Sequence, residues 1–184
     1  MNYRTTVVFL ATTSLLTMPL VAKHNDQSEG PEREFRADLR GRNEVPLTLS
    51  GARGTLSLTV KDDDSSAHFV LEYSGLQTPV AAAHIHVGQP NVNGGVTVFF
   101  CGTVPAGFPT RAACPQAGTV TGDFTAADVI GLAPQQLEAH NLPKLLAAIR
   151  AGKAYANVHT MTSPGGEIRG QIHHAEPQGD KGDR

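Results

Sequence analysis

The chain is 184 residues long, carries 15 Lys and Arg against 17 Asp and Glu for a formal net charge of −2, and has no tryptophan. That length suits one domain plus processing segments. The balanced, scattered charge excludes an electrostatic nucleic-acid binder, and an aromatic content of only 5% gives no stacking platform for single strands.

Residues 1–22 have the pattern of an export signal: Arg4 supplies a positive start, an apolar stretch runs from Thr6 to Val21, and Ala22 is a plausible cleavage residue. The competing reading is an N-terminal membrane anchor, against which the stretch is short and rich in threonine. No other segment is apolar enough to span a bilayer, so the mature chain is expected to be periplasmic or secreted, with no membrane span. Residues 23–33 are polar and read as a flexible linker, 34–174 as the folded domain, and 175–184 as a disordered tail.

Within the domain, strand signals follow one another in chain order. The first is 34–39. Next, Leu56, Leu58 and Val60 alternate with Ser57 and Thr59, and a charged turn at 61–66 leads into a second strand at 67–73. Further strands are expected at 82–87, 95–100, 118–124, 154–160 and 167–173. Helix is expected only in short inserts: Thr125 to Asp128 has the shape of a capping box, and 142–150 has Pro143 near its start and Gly152 past its end. Many short strands with Gly and Pro turns predict an all-β fold. It is expected to be a Greek-key-like antiparallel β-sandwich with one or two short inserted helices.

Cys101 and Cys114 are the two cysteines. In an exported chain they are expected to form one disulfide closing Gly102 to Ala113. A thiolate metal site is the alternative, disfavoured by the spacing and by an oxidising compartment.

The sharpest chemical signal is His84-Ile85-His86, followed on a later strand by His159. Side chains two apart on a strand share a face, so His84 and His86 project together. Imidazole is the commonest metal ligand, and three of them suit copper or zinc. The plain alternative is a set of hydrogen-bonded structural histidines. In the C-terminal hairpin, pairing His159 opposite Glu167 places Asn157 opposite Arg169 and Tyr155 opposite Gln171, all on one face. Glu167 is then placed to orient the ring of His159, with Asn157 and Arg169 beside it, unless these form a purely structural network. His68, His140, His173 and His174 are weaker candidates. No nucleophile elbow, P-loop or dinucleotide fingerprint occurs, and no catalytic residue is assigned.

Asn43-Glu44-Val45-Pro46, Ala83-His84-Ile85-His86-Val87-Gly88 with Asn93-Gly94-Gly95, and Tyr155-Ala156-Asn157-Val158-His159-Thr160 running through Pro164-Gly165-Gly166-Glu167-Ile168-Arg169-Gly170-Gln171 resemble the CHRD (chordin) domain. The resemblance covers about 35–173. It implies a module of extracellular chordin or a stand-alone exported bacterial domain, with no single biochemical activity. A more distant architectural similarity is to exported copper–zinc superoxide dismutases. Those Greek-key sandwiches also hold copper on a strand-borne His-x-His and a later strand histidine. Their zinc-site cluster and active-site loop arginine have no counterpart assigned here.

Three readings follow. The leading one is an exported protein that binds or handles a copper ion, with a zinc ion as the alternative, through His84, His86 and His159. The second is a superoxide dismutase-like copper oxidoreductase. The third is a metal-free extracellular interaction module whose partner is another exported protein.

Overall fold

The computed structural model describes Met1 and residues 33–175. The expected export signal beyond Met1, the linker as far as 32 and the tail from 176 lie outside the described residues. Among the described residues nine strands form: β1 (Glu34–Arg40), β2 (Arg53–Val60), β3 (Ser66–Ser74), β4 (Val80–Val87), β5 (Gly95–Gly102), β6 (Gly118–Thr125), β7 (Ala154–Thr160), β8 (Ile168–Gln171) and β9 (His173–His174). All pairings are antiparallel, and the order is β5-β4-β7-β8-β1-β2-β3-β6, with β9 also pairing with β1.

The fold is therefore all-β, as the alternating patterns predict, but its strands are joined by hydrogen bonds into one sheet that doubles over on itself. Connections from β3 to β4, from β5 to β6 and from β6 to β7 cross between its two ends, which gives the Greek-key-like order. Alternation does the folding. Leu56, Leu58 and Val60 of β2 pair with Leu71, Phe69 and Ala67 of β3, and all six are buried. Phe69 of β3 meets Phe100 of β5 with ring centroids 4.7 Å apart, so the two ends of the sheet face each other across one aliphatic and aromatic core.

The helical inserts also form. Thr125 and Asp128 make the expected capping box, over a single 3-10 turn at Ala126–Asp128. Helix α1 (Leu142–Arg150) is capped by Asn141, whose side chain accepts from the Lys144 N–H. Its buried residues, Leu142, Leu145, Leu146 and Ile149, follow the spacing of one helical stripe. Arg150 grips Asp64 with two bonds of 2.8 and 2.7 Å, tying the end of α1 to the β2–β3 turn.

Strands β5 and β6 are the two ends of the sheet, and residues 103–117 run between them as a strap. The strap is fixed by the Cys101–Cys114 disulfide, by Gly102 N–H donating to Ala112 O, by Arg111 on Asp128 at 2.8 Å and by the Tyr73 hydroxyl on Pro115 O at 2.8 Å. Closing a loop of this length restricts the unfolded chain by about 3 kcal/mol in the chain-entropy account. The Cys101→Ser, Cys114→Ser double variant is therefore expected to fold with stability reduced by about 3 kcal/mol, measured by urea denaturation against the oxidised protein.

Candidate metal centre

β4 lies between β5 and β7, and its alternation splits its side chains. Ala83 and Ile85 are fully buried in the core, while Ala82, His84 and His86 point to the other face. Against β7, Ala82 pairs with His159, His84 with Asn157 and His86 with Tyr155. The three histidines are thus brought together. Ring centroids of His84 and His86 lie 4.7 Å apart, and those of His84 and His159 4.3 Å. One imidazole nitrogen from each of the three lies within 4.8 Å of the others.

Each ring is held by different neighbours. His86 Nδ1 is 2.9 Å from Gly94 O, so Nδ1–H donates and Nε2 keeps its lone pair. His159 Nδ1 donates in the same way to Pro164 O at 2.9 Å. His86 also stacks on Tyr155, with centroids 4.6 Å apart and planes at 3°. His84 packs edge-on against Phe99 at 4.8 Å. Phe99 reaches this place because β5 is irregular opposite His84, the register shifting between Ala83 and His84. What remains is three buried nitrogens without a hydrogen-bond partner: His84 Nδ1, His86 Nε2 and His159 Nε2.

Gly94 does two jobs. Its carbonyl fixes His86, and its N–H donates to the Tyr155 hydroxyl at 3.1 Å. A Cβ at this position would lie 1.8 Å from Val87 O, so only glycine brings the backbone this close. This is the physical content of the Asn93-Gly94-Gly95 run.

Arg169 is 4% exposed and lies over the Tyr155 ring, 4.7 Å from its centroid. It donates to Asn43 O at 2.6 Å and to Asn93 Oδ1 at 3.0 Å, so it joins the loop after β1 to the loop after β4. Glu44 is 4.0 Å from Arg169. Asn157 and Glu44 are buried, and Asn157 Oδ1 and Glu44 Oε1 have no hydrogen-bond partner. Both converge on Gly166, where a Cβ would lie 2.6 Å from Asn157 and 2.7 Å from Glu44.

The expected role of Glu167 needs correcting. The hairpin register is the expected one, with Asn157 opposite Arg169 and Tyr155 opposite Gln171. Even so, Glu167 Oε2 accepts from the Thr160 hydroxyl at 2.7 Å, and Oε1 accepts from the Ser50 hydroxyl at 2.7 Å and from Gln77 N–H at 3.2 Å. Glu167 precedes β8 and is not bound by strand alternation, so its carboxylate turns to these donors. The backbone carbonyl of Pro164 orients His159 instead. Gly94, Pro164, Phe99 and Glu44 were not singled out as site residues. Glu44, Gly94 and Pro164 carry only the signal of membership of the Asn43–Pro46, Asn93–Gly95 and Pro164–Gln171 runs, and Phe99 lies in none of them.

Burial dominates the electrostatics. It pushes the pKa of His84 down to about 2, with His159 and His86 adding to the effect. It pushes His86 down to about 4, against the opposing Gly94 hydrogen bond and with smaller contributions from His159 and Arg169. Burial lowers His159 too, against its bond to Pro164. Glu44 moves the other way: burial raises it to about 7, opposed by Arg169 and by the Val45 N–H. The histidines are therefore neutral near pH 7, the form in which an imidazole can ligate a metal.

Fold and site together define an antiparallel β-domain with three neutral imidazoles gathered on one face of its sheet. A profile of the CHRD domain matches residues 35–172, and the chain belongs to that family. No curated protein matches it. A CHRD domain with a disulfide is consistent with an extracellular location, and among the described residues no helix is long and apolar enough to cross a membrane.

Two expectations follow for the metal-free protein. Histidines whose folded pKa is depressed contribute stability that is present above pH 6.5, the unfolded value, and is lost as pH falls towards about 4 for His86 and about 2 for His84. The limiting slope is about 1.4 kcal/mol per pH unit for each proton discarded on folding. Glu44, with its raised pKa, gains a proton on folding between about 7 and 4.5 and offsets one histidine in that window. Denaturant titrations from pH 7.5 to 4.5 should show a loss of stability on acidification that is steeper in Glu44→Gln. Separately, Glu167→Ala removes the acceptor of the buried Thr160 hydroxyl, of the half-buried Ser50 hydroxyl and of the Gln77 N–H. It should cost about 3 kcal/mol, measured by urea denaturation at pH 7.

Proposed function

We propose that this CHRD domain is an exported metal-binding protein that holds a copper ion, with zinc second, on His84, His86 and His159. The observation that carries the reading is the set of three buried imidazole nitrogens with no hydrogen-bond partner. A buried polar atom without a partner costs about 1–3 kcal/mol, and three at one place are costly unless a ligand uses their lone pairs. An ion bonded to each at about 2.0–2.1 Å spans at most about 4.2 Å between two donors, so small side-chain adjustments from the present 4.8 Å separation close the set.

The donor chemistry fits the group. All three ligands are neutral imidazoles, which suit copper and zinc over calcium or magnesium, ions that take oxygen. Gly94 O and Pro164 O fix the tautomers of His86 and His159, as outer hydrogen bonds do in metal sites. The role that follows is binding, buffering or delivery of copper outside the cytoplasm.

The test is titration of the exported protein, purified without a histidine tag, with Cu(I), Cu(II) and Zn(II), alongside His86→Ala. One tight equivalent in the wild type, lost in His86→Ala, is the expected result. Full retention in the variant overturns the assignment. A wild type that binds no metal and gains no thermal stability from it makes the histidines structural and favours the interaction-module reading. Superoxide dismutation by the copper-loaded protein above that of free copper would move the reading to an oxidoreductase.

A further inference from the structure

Three imidazoles leave a tetrahedral ion one position short. A cleft of about 460 Å³ opens beside them, and His84, His159, Phe99, Pro164 and Met161 are among its lining residues. Met161 stands two residues beyond His159, just past the end of β7, and lines this cleft with it. Its N–H still donates to Pro79 O at 3.1 Å, which keeps the backbone alongside the segment entering β4.

Packing does not account for Met161. The residue is 69% exposed, although methionine is ordinarily a core-filling side chain. It has three rotatable bonds beyond Cα and ends in a soft thioether, and it lines the same cleft as two of the candidate ligands. Both cysteines are committed to the disulfide and offer no thiolate.

We propose that Met161 supplies its Sδ as a fourth ligand to the ion held by His84, His86 and His159, and that the centre is a copper(I) site. The proposal rests on the three-histidine reading given above and adds to it the oxidation state and the closing ligand. Thioether and imidazole together select copper(I) among the available ions. Charge points the same way. The four donors are neutral, Glu167 is taken up by Thr160, Ser50 and Gln77, and Glu44 lies beside Arg169. Neither of these two carboxylates is left to balance the ion, and the cost of burying charge rises steeply with its magnitude, so the monovalent ion is the cheaper occupant.

The experiment compares wild type with Met161→Leu, which keeps the size and removes the sulfur. X-ray absorption of the copper(I)-loaded wild type should show one sulfur scatterer besides nitrogen, absent in the variant. Copper(I) affinity, measured by competition with a chromogenic chelator, should weaken about tenfold or more, with zinc affinity unchanged. Relative to copper(II), a tenfold loss corresponds to a reduction potential lower by about 59 mV. Nitrogen-only scattering in a wild type that binds copper, or equal copper(I) affinity in the variant, overturns this proposal and leaves the histidine site standing. A wild type that binds no copper overturns both.

Discussion

Strands β4 and β7 pair so that Ala82 faces His159, His84 faces Asn157 and His86 faces Tyr155, and this register is what gathers the three imidazoles. The constraint is strict because the side-chain period of a strand is two. A slip of one residue would set Ile85 and Ala83 opposite the polar residues of β7 and break the match on both faces at once. The buried Ala83, Ile85, Ala156 and Val158 therefore hold the site in register from behind, although none of them touches a ligand nitrogen through its function. The small Ala82 opposite His159 leaves room for a ring that must lean towards His84.

The strands and their faces were legible because they rest on local alternation, and the pairing of Leu56, Leu58 and Val60 with β3 needs nothing more. The histidine cluster was legible for the same reason: His84 and His86 share a face by spacing alone, and His159 sits on another strand of matching pattern. What the sequence hid are contacts between distant loops. Glu167 stands at a strand entrance, where alternation lapses, and its carboxylate is taken by Ser50 and Gln77, more than eighty positions away in the chain. Backbone carbonyls carry no side-chain signature, so the parts played by Gly94 and Pro164 appear only in three dimensions. The irregularity of β5 that brings Phe99 against His84 is likewise a departure from the period on which the reading depends.

Arg169 organises the polar side of this arrangement. Its guanidinium covers Tyr155, on which His86 also stacks, and its hydrogen bonds gather Asn43 and Asn93 from two loops. Arginine suits the position because a planar, permanently charged fork can both stack and donate in several directions. Glu44 beside it is buried enough to titrate near neutrality, so the charge of the Arg169 surroundings changes by one across the pH range in which the histidines stay neutral. The positive guanidinium also adds to the forces that keep His86 unprotonated.

The strap between β5 and β6 has a consequence of a different kind. A sheet that doubles over without joining its last two strands leaves two rows of backbone donors and acceptors at its margins, and such margins are templates on which other chains can add strands. Here one segment, stapled by Cys101–Cys114 and anchored by Arg111 and Tyr73, lies along that seam. The crosslink thereby ties to β5 the segment that lies over this margin, as well as restraining the unfolded chain. The margin of β5 is thus covered by a segment of the same chain, held at one point covalently and at others by Arg111 and Tyr73.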